Sequence, residues 1–149
     1  MPVSRIPFAI LVFAVAAACS PSSAPAAVVD RESARFAPCV GGKRVTCVVD
    51  GDTFWYRGQK VRIADINTPE VSKPGCPREA ALGAEATRRL IVLLNSGPFT
   101  LQMAYPHRPT DRYGRALVVV TRDGESLGMK LADEGLAEPW KGRRGNWCR

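Results

Sequence analysis

An α+β fold, mainly β with helices, is predicted for this chain: a five-stranded Greek-key barrel, one helix after the third strand and a short helix near the C-terminus. Three observations predict it. Five short segments rich in β-branched and aromatic residues lie between positions 45 and 121. One stretch dense in alanine and leucine, Arg78–Leu94, falls between the third and the fourth. The foldable part of the chain is also small, and closing a small sheet removes the strand edges it would otherwise expose.

The elements follow in order. Val45–Val49 has β-branched residues on both sides of Cys47, and Thr53–Tyr56 is rich in aromatics. Arg57-Gly58-Gln59 supplies a turn, and Lys60–Ile66 alternates apolar residues, so these three segments suit a meander. Pro69, Pro74, Gly75 and Pro77 break the pattern. Pro77 is suited to the first helical position, because its missing N–H needs no partner there. Arg78–Leu94 continues the helix, and Asn95-Ser96-Gly97-Pro98 stops it. Phe99–Tyr105 alternates, with Phe99, Leu101, Met103 and Tyr105 on one face. A polar loop follows, and then the strand Arg115–Thr121, whose Val118-Val119-Val120 run predicts cover on both faces. Asp123-Gly124 turns the chain into the short helix Leu127–Glu134, closed by Gly135.

The first part of the chain does not read as domain. Arg5 precedes an apolar run from Ile6 to Ala18, shorter than the roughly 20 residues a membrane-spanning helix needs. Small residues follow, so residues 1–26 read as a secretory leader, with cleavage after Ala18 or Ala26. Cys19 after Ala16-Ala17-Ala18 offers an alternative, a lipid on that cysteine that would tether the protein to a membrane. Residues 27–38 read as a flexible linker and 39–149 as the folded domain. Secreted or periplasmic localisation follows, with lipid anchoring to the envelope as the alternative.

The cysteines agree with export. Beyond the leader stand Cys39, Cys47, Cys76 and Cys148. An even number in an exported chain implies disulfides, and four cysteines allow three pairings. We favour Cys39–Cys47, with Gly41-Gly42 forming a turn between them, and Cys76–Cys148, tying the tail to the loop before the helix. A zinc site is disfavoured, because no Cys-x-x-Cys pair occurs and His107 is the only histidine. The formal charge is +7. It favours polyanionic partners, nucleic acid first, with anionic lipid as the rival.

Chemistry concentrates in three motifs: Asp50-Gly51-Asp52-Thr53, then Asn67-Thr68-Pro69-Glu70 with Arg62 between them, then Asp111-Arg112-Tyr113-Gly114-Arg115. Oxygen donors suit a hard divalent cation such as Ca2+. Arginine forks match phosphate oxygens. A remaining carboxylate can act as general base. The set reads as a site for cutting a phosphodiester.

In this order and spacing the motifs resemble the staphylococcal nuclease (thermonuclease-like) family from about Val45 to Ala137, including the later Gly135-Leu136-Ala137. The resemblance implies an OB-fold barrel and Ca2+-dependent hydrolysis of DNA and RNA. It implies Asp52, Asn67 and the backbone carbonyl of Thr68 as metal ligands. Arg62 and Arg115 become the phosphate clamp, Glu70 the general base and Tyr113 a contact to a terminal phosphate. Asn67 departs from the family's usual aspartate and offers an oxygen without charge. Asp65, two residues earlier, is a candidate auxiliary ligand. Arg62 and Asn67 are five apart, so a regular strand would aim them at opposite faces, and the strand must end or bulge before Thr68. The ending departs too, because Pro139–Arg149 stands where the family continues with a long helix.

The expected function is an exported, monomeric nuclease of low sequence specificity that prefers single-stranded substrate. The alternative is a catalytically weak or inactive OB-fold module that binds nucleic acid.

Overall fold

A computed structural model describes residues 29–149. The expected leader and the Cys19 lipid site lie outside the described residues. The elements are β1 (Cys47–Asp50), β2 (Thr53–Tyr56), β3 (Gln59–Ile63), β4 (Ile66–Asn67), α1 (Pro77–Asn95), β5 (Thr100–Met103), β6 (Ala116–Arg122), β7 (Glu125–Ser126), α2 (Leu127–Asp133) and β8 (Glu138–Pro139).

β1, β2 and β3 form the expected meander. Arg57 and Gly58 both take positive φ, 50° and 83°, which fits the two-residue turn between β2 and β3. The register sets Thr53 opposite Arg62 and Tyr56 opposite Gln59. β3 then lies parallel to β6, with Arg62 opposite Leu117, and β5 pairs antiparallel on the other side of β6. The order is β1-β2-β3-β6-β5, with β7 also on β6, and β4 and β8 form a separate pair.

Two expectations need correction. The predicted strand Lys60–Ile66 is broken, because β3 ends at Ile63 and β4 joins β8 instead. The Arg62 guanidinium braces the bend by donating to the carbonyl oxygens of Ile63 and of Ile66, the latter at 3.0 Å. The hydrogen-bonded sheet among the described residues is also not a closed five-stranded barrel, since β1 and β5 remain its edges. Residues 32–38 lie along both. Glu32 and Phe99 exchange two backbone hydrogen bonds of 2.9 Å next to β5. On β1, the Val48 N–H donates to Ala37, and the Cys39 N–H donates to Val48.

That arrangement overturns the linker reading for residues 29–38. Phe36 is 3% exposed and packs against Phe54, Tyr56 and Phe99 at ring separations of 5.7–6.0 Å. The Asn95 side chain holds the Phe36 backbone at both its N–H and its carbonyl. A stretch rich in polar and charged residues conceals one aromatic anchor.

The core joins this aromatic cluster to Ile63, Ile66, Leu90, Leu94, Leu127 and Leu131. Leu117, Val118, Val120 and Thr121 are all buried, so β6 is covered on both faces. The outer half of the predicted Phe99–Tyr105 stripe is not core, because Met103 and Tyr105 are exposed. Both favoured disulfides are present, Cys39–Cys47 and Cys76–Cys148. No helix among the described residues is long and apolar enough to cross a membrane.

Candidate active site

The site forms where the β1–β2 turn, the segment after β4 and the start of β6 meet. Gly51 lets them approach. A Cβ there would lie 2.7 Å from Ala86 and 2.8 Å from Thr68, so any side chain would push the turn off α1. The next residue, Asp52, is 7% exposed. Its Oδ1 accepts from the Thr53 hydroxyl at 2.9 Å, and its Oδ2 accepts from the Thr68 N–H at 3.1 Å. The Arg62 guanidinium stands 3.1 Å from Oδ2. The ion pair and both hydrogen bonds supply the compensation a buried carboxylate needs.

Asp50 lies beside it, partly buried, and its Oδ1 accepts from the Asp52 N–H at 3.2 Å. Burial, reinforced by the charge of Asp52, pushes the Asp50 carboxyl up to about 7. A carboxyl raised on folding stabilises the fold most fully below its unfolded pKa of about 3.9, and that contribution is lost as pH rises through the folded value. In chelator-treated protein, Asp50→Asn should therefore raise the urea midpoint relative to the parent by an amount that grows from pH 4 to above pH 7. An increment that is flat across this range would contradict the assignment.

Glu70 is held from two sides. Its backbone N–H donates to Glu79 Oε1 at 3.2 Å, while Glu79 Oε2 accepts from the Gly75 N–H at 2.6 Å. Gly83 of α1 packs under the same segment, since a Cβ there would come within 2.9 Å of the Pro69 carbonyl oxygen. The Glu70 carboxylate pairs with Arg144 from the tail.

Arg115 is aimed by its own loop. Asp111 Oδ2 accepts from Arg115 Nε at 2.7 Å and lies 2.7 Å from Nη2. Asp111 Oδ1 accepts the backbone N–H of Tyr113 and of Arg115. Burial pushes the Asp111 carboxyl up, but the hydrogen bonds from Arg115 and Tyr113 outweigh it and hold it below the usual carboxylate range.

One small cleft of about 100 Å³ brings together Asp50, Asp52, Thr68, Glu70, Arg62 and Arg115. A neighbouring cavity of about 190 Å³ shares the two arginines and adds Tyr105, Arg108, Leu117 and Trp140. Three predicted residues stand apart from the cleft. Tyr113 is 65% exposed, its ring between the guanidinium groups of Arg112 and Arg115 at 4.8 and 5.5 Å. Asn67 is buried, lines the neighbouring cavity and donates through Nδ2 to Glu138 at 3.0 Å. Asp65 is directed elsewhere and does not line the cleft. Its Oδ2 accepts from the Ser126 hydroxyl at 2.6 Å, and its Oδ1 lies beside Gly128 in α2. The bend after Ile63 removes the strand parity that placed Asp65 with Asn67.

Sequence reasoning gave no individual role to Glu79, Glu138 or Arg144, and named Asp111 only as part of its motif. The i, i+4 spacing of Asp111 and Arg115 was a readable local signal. Glu79 and Glu138 act across loops and had none. Arg144 was readable only through the Cys76–Cys148 pairing, which returns the tail to the loop after Glu70.

Among the described residues no three of histidine, cysteine, aspartate and glutamate cluster as a metal site. Two carboxylates, Asp50 and Asp52, nevertheless share a cleft with Thr68. This donor set fits a hard divalent cation in kind, with water and phosphate oxygens needed to complete its shell.

A family model for staphylococcal nuclease homologues matches residues 60–146. The chain is 34% identical over 94 residues to the thermonuclease of Staphylococcus intermedius, covering 60% of this chain and 54% of that protein. It is 40% identical over 93 residues to endonuclease YncB of Bacillus subtilis, covering 60% of this chain and 43% of that protein. The chain thus spans about half the length of the curated relatives it matches. The matched region contains Arg62, Glu70 and Arg115, and on this ground the chain belongs to the staphylococcal nuclease homologue family.

Proposed function

We propose that this protein is an exported endonuclease that hydrolyses phosphodiester bonds of DNA and RNA with Ca2+ and little sequence preference. One observation carries the reading: Asp52, Glu70, Arg62 and Arg115 line a single cleft. Arg62 and Arg115 hold the scissile phosphate and meet the charge that develops on its oxygens. Glu70 accepts a proton from the attacking water. Asp52, Asp50 and Thr68 would hold the cation, which when bound supplies positive charge at the phosphate. Tyr105 and Trp140, beside Arg108 in the neighbouring cavity, suit the stacking of an unpaired base, which favours single-stranded substrate. Two disulfides support an oxidising, extracytoplasmic location.

The test is digestion of plasmid DNA, single-stranded DNA and RNA with Ca2+ or with chelator. Cutting should need the cation and should be faster on single strands. Equal cutting with chelator would refute the metal role. A gel shift with no cutting at millimolar Ca2+ would identify a binding module instead.

A further inference from the structure

The tail beyond Trp140 is not used by the catalytic reading. It crosses back to the cleft, and Arg144 lines both the cleft and the neighbouring cavity, together with Arg62 and Arg115. In the absence of substrate its guanidinium pairs with the Glu70 carboxylate. We propose that Arg144 is a third phosphate-contacting arginine, delivered to the substrate path by a tail that is fastened just beyond it. The proposal rests on the nuclease reading above and adds a substrate contact to that site.

The ion pair cannot be what holds the tail. The Arg144 side chain is 66% exposed and that of Glu70 is 30% exposed. Pairs this open to water contribute little to stability. Two stronger fastenings follow Arg144 in the chain instead. Four residues on, Cys148 is bonded to Cys76 at the start of α1. One residue on, the Gly145 N–H donates to Glu138 Oε1. A Cβ at position 145 would fall 2.2 Å from Glu138 Oε2, so the close approach favours glycine. Glu138 is itself pinned, because the same Oε1 accepts from Asn67 Nδ2.

This latch gives a physical reason for the amide at position 67. An aspartate there would set a second carboxylate against Glu138 and loosen the seat of Gly145. Asn67 thus serves the tail.

The chemistry of the exchange follows. A guanidinium held at its backbone but exposed at its tip can leave one carboxylate for a phosphate, whose oxygens accept its fork. Substrate binding would then release Glu70 for its water. The other tail cations differ: Lys141, Arg143 and Arg149 line a surface hollow beside Glu138, which Arg144 also borders, but they line neither the cleft nor the neighbouring cavity.

The experiment measures binding of a short fluorescein-labelled single-stranded oligonucleotide by anisotropy, in chelator and over a range of salt. Arg144→Ala should raise Kd about tenfold, as expected for losing a charge-assisted hydrogen-bonded contact. It should also flatten the slope of log Kd against log salt by about 0.7, the value for one phosphate contact to a single strand. Arg144→Lys should restore most of the slope and part of the affinity. Arg143→Ala should leave both near the parent. In the Cys76→Ser/Cys148→Ser protein, checked by circular dichroism to be folded, Kd should rise similarly, and adding Arg144→Ala should cost little more.

An unchanged Kd and slope in Arg144→Ala would overturn the proposal. So would tighter binding, which would make the tail an obstruction. Full additivity with the disulfide variant would overturn delivery by the tail. The nuclease reading fails separately, if the parent binds the oligonucleotide but does not cut it with Ca2+.

Discussion

Arg62→Ala should lower kcat about 10²- to 10³-fold, the range seen when one preorganised donor to a developing oxyanion is removed. Arg62 has two further tasks here, and both enlarge the effect. It neutralises Asp52, whose carboxylate is 7% exposed. It also braces the bend between β3 and β4 through the carbonyl oxygens of Ile63 and Ile66. Removing it leaves a buried carboxylate without its cation, which typically costs about 3–5 kcal/mol when a buried pair is broken. The urea midpoint should therefore fall along with the rate. Arg62→Lys restores a charge but not the fork that spans Asp52 and the bend, so it should recover stability better than kcat. Steady-state cleavage of a fluorogenic oligonucleotide, alongside urea unfolding, measures both. A variant with parental kcat would remove Arg62 from the phosphate clamp.

Phe36→Ala should destabilise the protein by about 3–5 kcal/mol, the usual range for truncating a buried phenylalanine. Phe36 contacts three other aromatic rings, and one of them, Phe54, is fully buried at the centre of the core. Natural domains have only about 5–15 kcal/mol in total. The loss should thus be visible as a large shift of the urea midpoint with little change in the slope of the transition. The cleft lies on other elements, so kcat of the folded fraction should stay near the parental value. A shift under about 0.5 kcal/mol, typical of an exposed position, would mean that the segment does act as a linker.

The two results probe different kinds of legibility. Elements written in local patterns could be read directly. The Pro77 start and Gly97-Pro98 stop mark α1, the Arg57-Gly58 turn marks the β2–β3 hairpin, and the valine run marks a strand covered on both faces. The convergence of Asp52, Glu70, Arg62 and Arg115 was also readable, because the motifs carry residue types whose chemistry makes sense only together. What escaped was set by single long-range contacts. Nothing near Phe36 reveals the rings of β2 and of Phe99 that receive it. The break after Ile63 depends on β8 pairing with Ile66 and Asn67 about 70 residues before it. Asn67 was read as a weakened ligand because its partner Glu138 is equally distant. Asp65 faces Ser126 rather than the cleft, because strand parity does not carry across the bend.

One consequence of residues 32–38 reaches beyond the single molecule. Unpaired β edges recruit other chains, and a sheet left open at both ends has two templates for polymer growth. This stretch occupies part of each rim, pairing with Val48 of β1 and with Phe99 just before β5. Trimming these residues should therefore expose more of both edges to pairing with neighbouring chains.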